Sequence, residues 1–252
     1  MTHPFLDHPT PIAFAHRGGS LEVEENTIEA FAHAAGLGYS HVETDVQVTR
    51  DGVAVIFHDD TLERMTGEDV RVDALSWDEL KGRRTKGGHA IPRLDSVLEE
   101  WPDLFLNLEA KADGAVAPMA EAIRAAGALG RVCVGSFVAE RTAEAVRRLG
   151  PGLLWSPGQG GVLRLWLRGW GLPLALPPFG AVQVPPSHKG IPVVTQRFVR
   201  AAHALGVQVH VWTVDAAEEM ERLLDLGVDG LMSDRPTLLK EVIARRAGRE
   251  AA

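Results

Sequence analysis

Short apolar runs rich in β-branched residues alternate with helical patterns along the whole chain, and this alternation restricts the possible folds more than any other feature. It is typical of a parallel sheet covered by helices. The predicted strands are 12–16, 42–48, 53–58, 104–109, 132–137, 153–156, 181–184, 207–214 and 230–233. The predicted helices are 26–37, 94–101, 116–126, 139–149, 196–205, 217–226 and 236–246.

Nine strands fit either an open doubly wound sheet or a closed barrel with one extra strand. The runs 42–48 and 53–58 are separated by Thr-Arg-Asp-Gly, which is too short for a crossover helix, and Asp-Gly favours a two-residue hairpin turn. The second run therefore folds back as an antiparallel arm and leaves eight parallel strands. We predict an α/β fold, a TIM-type (β/α)8 barrel in which residues 1–252 form one domain.

A long connection without a strand lies between residues 59 and 102. Connections of this length are uncommon in compact domains and usually carry a functional loop or an insertion. We predict a small insertion over residues 61–92, after the hairpin, with a short helix at SWDELKG.

The acidic balance of the chain restricts its partners. There are 34 acidic and 26 basic side chains, and a net charge of −8 argues against nucleic acid and against electrostatic docking on anionic lipid. The start, MTHPFLDHPTP, lacks the features of a signal peptide, so we expect a cytoplasmic protein. The single cysteine, Cys133, lies in the apolar run RVCVGSF and is expected to be a buried structural thiol.

Residues 162–184 are strongly apolar but contain two arginines and three prolines, so they do not predict a clean membrane-spanning helix. We expect a buried segment or a loop, without stable membrane insertion. The alternative is a weak interfacial contact with a membrane, for which Trp166 and Trp170 are the support.

The predicted hairpin brings two carboxylates and an imidazole together. With a two-residue turn, Asp45 lies opposite His58, Glu43 lies opposite Asp60, and both acids share one face of their strand. Charges at the end of a core strand are seldom left unpaired, and a divalent cation relieves repulsion between carboxylates. Ligands that are all oxygen favour Mg²⁺ or Ca²⁺. The alternative is that the two acids form the solvated face of the strand.

Two further strands end in polar groups. LFLNLEAK places Glu109 and Lys111 on one face, and FAHRGGS ends the first strand with His16 and Arg17. In a barrel, the carboxyl ends of the strands carry the chemistry, so these groups and His58 are candidates for catalysis. The alternative for Glu109 is that it only forms an ion pair with Lys111 at the strand end and has no role in catalysis.

Local structure alone explains two other polar residues. Asn26 opens the predicted helix 26–37 with Glu29 three residues on, as in a helix N-cap. Asp234 is expected to cap the helix that begins at Pro236.

The motifs together resemble those of the glycerophosphodiester phosphodiesterases. They are FAHRGGS, then ENT, VETDVQVTRDGVAVIFHDDTLERMTG, LNLEAK, VHVWTV and DGLMSDRP, which occur in the family's order and cover nearly the whole chain. The departures are mild: Glu24 stands where the family commonly has Pro, Ala110 where it has an aliphatic residue, and Ser233 where it has Thr.

The resemblance implies a TIM-type barrel that hydrolyses glycerophosphodiesters to glycerol 3-phosphate and an alcohol, with one divalent cation, Mg²⁺ or Ca²⁺. The substrate would be a small phosphodiester. Its site residues would be the cation ligands Glu43, Asp45 and Glu109, the general acid–base pair His16 and His58, the phosphate contacts Arg17 and Lys111, and Trp212 on the glycerol side.

Three other functions remain open at this point. A lysophospholipase D-like enzyme would accept a lipid tail, with residues 162–184 as its support. A non-catalytic phosphate-binding barrel would lack a catalytic group, and none is missing. A glycoside hydrolase would use paired carboxylates, but the cationic Arg17 and Lys111 favour an anionic substrate. The sequence does not determine the oligomeric state.

Overall fold

The computed structural model describes residues 3–250. Eight parallel strands form a nearly closed barrel, as predicted, in the order β6-β5-β4-β2-β1-β11-β10-β7. The strands are β1 Ile12–His16, β2 His41–Val48, β3 Ala54–Ile56, β4 Phe105–Ala110, β5 Val132–Gly135, β6 Leu154–Trp155, β7 Ala181–Val184, β8 Ser187–His188, β9 Ile191–Pro192, β10 Gln208–Val211 and β11 Gly230–Ser233. β3 is the antiparallel arm beside β2, and β8 and β9 form a separate two-stranded ribbon.

Helices surround the barrel and cover the apolar faces of its strands. The α-helices are α1 Ile28–Gly36, α2 Glu63–Thr66, α3 Trp77–Leu80, α4 Leu94–Glu100, α5 Val116–Ala125, α6 Ala139–Leu149, α7 Gln159–Arg168, α8 Gln196–His203, α9 Ala217–Asp225 and α10 Pro236–Glu250. All seven predicted helices are present, with ends shifted by a few residues. The helix α7 was not predicted, because its two glycines and the prolines that follow it resemble a loop.

The ladder of backbone hydrogen bonds is interrupted between β6 and β7 within the described residues. A side chain bridges this seam, since the backbone N–H of Gln183 donates to Ser156 Oγ at 3.0 Å. Inside the barrel, Gln183 also donates from Nε2 to Asn107 Oδ1 at 2.7 Å. The barrel is therefore closed at this point by polar side chains.

Aromatic and imidazole rings fill the end of the barrel opposite the carboxyl ends of the strands. Phe5, from a 3-10 helix at Pro4–Leu6, lies against Phe14, His41 and Phe105 at ring distances of 4.8–6.0 Å. His210 lies 4.9 Å from Phe14. Because this end is packed with rings, the open end at the strand carboxyl termini is the one that can admit a ligand.

The predicted register of the hairpin is wrong by one residue. Val46 pairs with Ile56, and the backbone N–H of Phe57 donates to Asp45 O at 3.0 Å, so Phe57 and not His58 lies opposite Asp45. The loop contains three residues, 50–52, because Gly52 adopts a φ of 82° and the Thr49 N–H bonds Val53 O. An Asp-Gly pair occurs in two- and three-residue hairpin loops, and this difference shifts every partner. The predicted opposition of Glu43 and Asp60 fails for the same reason.

The segment after the hairpin has a small apolar cluster of its own. Its members come from the end of the hairpin and from the loops and helices that follow: Val55, Phe57, Leu62, Met65, Val72, Leu75, Leu80 and Ile91. The predicted helix at SWDELKG is α3, with Ser76 in a capping box with Glu79. The division of the chain into one domain with an insertion at 61–92 stays a prediction.

Among residues 3–250, no helix is long and apolar enough to cross a bilayer. Residues 162–184 form most of α7, an irregular loop and then β7. Cys133 is buried inside the barrel, as predicted, and burial raises the pKa of its thiol.

Candidate active site

The first strand delivers His16 and Arg17 to the open end of the barrel, and a sharp turn follows. Arg17 has a φ of 51°, and Gly18 and Gly19 have φ values of 83° and 111°. A Cβ atom on Gly18 would lie 2.5 Å from the Cβ of Ala30. The two glycines therefore let the chain reverse against α1, as this left-handed backbone and close approach require.

Three acids meet at the carboxyl ends of β2 and β4. Asp45 pairs with Glu109 in the parallel register, and Glu43 lies two residues away on the same face. One carboxylate oxygen from each lies within 4.8 Å of the other two. Burial raises the pKa values of Glu43 and Glu109, and the neighbouring Asp45 charge raises both further. Such crowded, buried oxygen donors fit one hard divalent cation, which would offset their repulsion.

Two cationic side chains border this acid cluster. Arg17 Nε lies 3.2 Å from Asp45 Oδ2, and Lys111 Nζ lies 3.3 Å from Glu109 Oε2 and 3.5 Å from Asp45 Oδ1. The backbone N–H of Arg17 donates to Glu43 Oε2 at 3.2 Å. Both cations also line the same cavity as Glu43 and Glu109. They are thus placed to contact an anion that approaches the cluster.

His16 is held by Asp234, which sequence reasoning assigned to the helix cap. His16 Nδ1 lies 2.6 Å from Asp234 Oδ1, and His16 Nε2 lies 3.5 Å from Glu43 Oε2. Burial lowers the pKa of His16, but the carboxylates of Glu43 and Asp234 outweigh it and raise the pKa to about 9. Just before α10 the N–H of Arg235 bonds Ser233 Oγ at 3.0 Å, and in the first turn of α10 the N–H of Thr237 bonds Glu22 Oε1 at 2.9 Å. The capping interpretation of Asp234 was therefore wrong.

His58 reaches the same cavity from the second residue after β3, and it has an acid partner as well. Its Nδ1 lies 2.5 Å from Asp59 Oδ1. Arg64 in α2 donates to Asp59 at 2.6 Å and to Glu25 at 2.6 Å. Glu25 in turn accepts from Arg17 Nη1 at 3.0 Å. Burial raises the pKa of Asp59, but hydrogen bonds from Arg64 and His58 outweigh it and lower the pKa.

Asn26 is a site residue that sequence reasoning missed. The helix N-cap is Thr27, whose Oγ1 accepts from the Ala30 N–H at 3.1 Å. Asn26 instead has a φ of 58° and donates from Nδ2 to Asp45 Oδ2 at 2.9 Å, while its Oδ1 accepts from Thr44 Oγ1 at 2.6 Å. It therefore fixes one oxygen of the central acid. The tripeptide Glu-Asn-Thr next to the first strand was the available signal.

Glu43, Glu109, the two cations and the two histidines line one part of a cavity of about 630 Å³. All the predicted site residues except Asp45, which lies buried beneath the others, contact this cavity. Trp212 lines it too and meets Phe137 edge to face at 5.3 Å. The remaining wall is largely apolar and includes Val162, Leu163 and Trp166 of α7.

A TIM-type barrel with carboxylates, histidines and cations gathered at the carboxyl ends of its strands has the arrangement of a barrel enzyme. A family model described as "Glycerophosphoryl diester phosphodiesterase family" matches residues 16–148 and 175–238. The chain therefore belongs to the glycerophosphoryl diester phosphodiesterase family. The match omits residues 149–174, which include α7.

Individual relatives agree with this assignment. The chain is 40% identical to "Probable glycerophosphodiester phosphodiesterase 2" of Mycobacterium tuberculosis, over 97% of this chain and 95% of that protein. It is 31% identical to the glycerophosphodiester phosphodiesterase of Caldanaerobacter subterraneus, over 93% and 98% of the two chains. The structure of an Oleispira antarctica phosphodiesterase in complex with the product sn-glycerol-3-phosphate is 24% identical and superposes with a TM-score of 0.75, covering 93% of this chain and 97% of that chain.

Proposed function

We propose that this protein hydrolyses glycerophosphodiesters to glycerol 3-phosphate and an alcohol. The observation that carries the proposal is the convergence of His16 and His58 on one acid cluster that two cations border. The names of the M. tuberculosis and C. subterraneus relatives support the substrate class.

Glu43, Asp45 and Glu109 would hold one Mg²⁺ or Ca²⁺. When bound, the cation supplies electrostatic stabilisation to negative charge on the phosphate oxygens. Asn26 keeps one Asp45 oxygen oriented through its amide N–H. Arg17 and Lys111 bind the phosphate as fixed cations, which adds to the stabilisation of charge that grows during the reaction. Trp212 lines the glycerol side.

His16 and His58 form the acid–base pair. One accepts the proton of the attacking hydroxyl, and the other donates a proton to the leaving alcohol. We infer that the glycerol 2-hydroxyl attacks phosphorus and gives a cyclic phosphate, which water then opens. Detection of the cyclic species by phosphorus NMR during turnover would support this route, and direct incorporation of solvent without it would exclude the route.

The decisive experiment is a phosphodiesterase assay on glycerophosphodiesters with several head groups, with and without EDTA. We expect turnover that EDTA abolishes and that Mg²⁺ or Ca²⁺ restores. His16→Ala and His58→Ala should each lower kcat by at least about a hundredfold, because each removes one proton transfer. His203→Ala, which removes an exposed histidine paired with Asp229, is the control. Near-normal turnover by either active-site variant would overturn the catalytic assignment.

A second candidate substrate is a lysophospholipid, and the apolar wall beside Trp212 favours it. Relatives named "Lysophospholipase D GDPD1" from human, mouse and rat are 26–27% identical over 91% of this chain. Short-chain lysophosphatidylcholines below their micelle concentration test this substrate without a lipid surface. If the apolar wall binds the acyl chain of the lipid, kcat/KM rises about fourfold for each of the first methylenes added to that acyl chain. A flat series, with glycerophosphocholine still hydrolysed, would reject the lipid tail and keep the main proposal.

A further inference from the structure

Charge is distributed very unevenly along the chain. Residues 145–214 contain seven lysines and arginines and no aspartate or glutamate, although the chain as a whole carries 34 acids and a net charge of −8. This stretch therefore has a charge of +7, and the rest of the chain has −15. Arg147 and Arg148, at its border, pair with Glu144, while five other cations lie further along.

The same stretch holds most of the exposed large apolar side chains of the described residues. Leu163, Trp170 and Ile191 are 57%, 58% and 60% exposed, and Leu172 is exposed as well. Leu163, Trp166 and Trp170 follow a three- and four-residue spacing along α7 and the turn after it, which places them on one side. Trp166 donates from Nε1 to Pro192 O at 3.2 Å and so joins α7 to the ribbon that carries Ile191.

Cations lie among these apolar groups. Arg197 of α8 stacks over the Trp170 ring at 4.3 Å, Arg164 follows Leu163, and Lys189 forms the tip of the ribbon. None of these three cations takes part in an ion pair of the described residues. We call this surface the apolar–basic face, defined by Leu163, Arg164, Trp170, Leu172, Lys189, Ile191 and Arg197.

We propose that the apolar–basic face docks on an anionic lipid bilayer. Exposed Trp and Leu side chains flanked by Arg and Lys are the combination that inserts shallowly at a lipid interface, where the rings lie at the headgroup level and the cations meet lipid phosphates. Nucleic acid or an acidic protein would match the cations but leave the row of exposed aliphatic groups without a partner. A contiguous exposed apolar surface of this kind marks an interaction site in a protein that otherwise buries such groups.

The net charge of −8 does not prevent this docking, contrary to the expectation from the sequence. Electrostatic attraction at physiological ionic strength is felt over about 8 Å, so a bilayer responds to the charges on the face that approaches it. The acids of the other 182 residues lie outside the stretch that forms this face.

The orientation of the docked protein follows from the cavity. Leu163 and Ile191 belong to both the apolar–basic face and the cavity wall. A bilayer that covers this face therefore lies beside the mouth of the active site, where lipid-borne or newly released phosphodiesters would enter directly.

The test is co-sedimentation of the purified full chain with vesicles of phosphatidylcholine alone or mixed with phosphatidylglycerol. We expect binding to the anionic vesicles, weak or no binding to phosphatidylcholine, and loss of binding at high salt. Because each cation near the surface contributes a factor of about five, Arg164→Gln with Arg197→Gln should lower the partition coefficient roughly thirtyfold. Leu163→Ser with Trp170→Ser should lower it by a similar or larger factor.

Two variants serve as matched controls. Arg71→Gln removes an exposed arginine from the segment after the hairpin, and Leu205→Ser removes an exposed leucine from the turn that follows α8. Both should bind vesicles like the wild type, and thermal melting confirms that all variants are folded. The proposal is overturned if the wild type does not bind anionic vesicles, or if the control variants lose binding as much as the face variants do. Neither outcome depends on whether glycerophosphodiesters are hydrolysed.

Discussion

The two active-site histidines have acid partners that are held in different ways. Asp234 follows β11, and its backbone N–H donates to Asp215 Oδ1 at 2.8 Å, so the end of a barrel strand fixes it. Asp59 lies in a loop and depends on Arg64, which is half-exposed. His16 is therefore oriented by the barrel, whereas His58 is oriented by a helix outside it.

Asp234→Asn tests the first of these contacts. The amide keeps the size of the side chain but removes the charge that stabilises protonated His16, so kcat should fall roughly 10–100-fold with a smaller change in KM. Steady-state kinetics on glycerophosphocholine is the measurement. Glu29→Gln is the control. It also removes an acid that pairs with a histidine, since Glu29 Oε2 lies 3.0 Å from His89 Nδ1. Equal effects of the two variants would contradict a positioning role.

Arg64→Gln tests the second contact. Loss of the guanidinium frees both Asp59 and Glu25, so His58 and Arg17 lose their orientation together and kcat/KM should fall about tenfold or more. Arg83→Gln, which breaks an ion pair with Glu68 in the same segment, should leave the kinetics nearly unchanged. If Arg64→Gln also behaves like the wild type, α2 has no part in holding the site.

At the scale of elements, the segment after the hairpin combines its own apolar cluster with the residues that hold His58. Leu62 is fully buried in that cluster, next to α2. Leu62→Ala should cost about 2–5 kcal/mol through lost contacts and a cavity. Because the cluster is distinct from the barrel core, hydrogen exchange should show the loss of protection in residues 57–93 first and activity should fall with it. A uniform loss of protection across the barrel strands would show that the segment is not a separate cooperative unit.

Much of this architecture could be predicted from local patterns, and the failures have physical reasons. The strands and seven helices follow from periodicity, which is a local property. The residue opposite Asp45 in the hairpin depended on whether the hairpin loop has two or three residues, and Gly52 permits both lengths. The partner of Asp234 is His16, 218 residues earlier, and no local pattern reveals such a contact. The helix α7 was missed because it has two glycines in its first turn and is followed by a segment with three prolines, a pattern that locally favours a loop.

At the scale of the whole molecule, two buried histidines at the closed end of the barrel make stability depend on pH. Burial lowers the pKa of His41 to about 4 and that of His210 to about 3. His41 Nε2 contacts Phe5 O at 3.0 Å, while His210 Nδ1 has no hydrogen-bond partner in the described structure. In the unfolded chain both rings are protonated once the pH falls below about 6.5. In the folded protein they stay neutral at that pH, down to about pH 4.

The sign of the effect follows from these shifts. With folded pKa values below the usual 6.5, these two rings bind more protons in the unfolded state as the pH falls, so their contribution to stability is lost from about pH 6.5 downward. Together the two rings contribute a loss of roughly 2–4 kcal/mol between pH 7 and pH 5, and the raised pKa values of His16, Glu43 and Glu109 act in the opposite direction. Urea unfolding at several pH values measures it. Compared with the wild type, His210→Gln should lose roughly 1–2 kcal/mol less stability between pH 7 and pH 5, because it removes one of the two contributions. The exposed His203→Gln should show no such difference, and wild-type behaviour of both variants would contradict the assignment.

The seam between β6 and β7 has a consequence for how such a protein can diversify. The reacting groups come from β1, β2, β4 and the hairpin, where β2 and β4 are locked together by six paired residues. The apolar–basic face comes from the other half of the barrel, around the seam, where side chains replace the ladder and where the match to the family model omits α7. Insertions on that side need not shift the register of the reacting strands. Natural selection can therefore change where the enzyme works and which molecules reach it, while the bond-breaking chemistry is inherited intact.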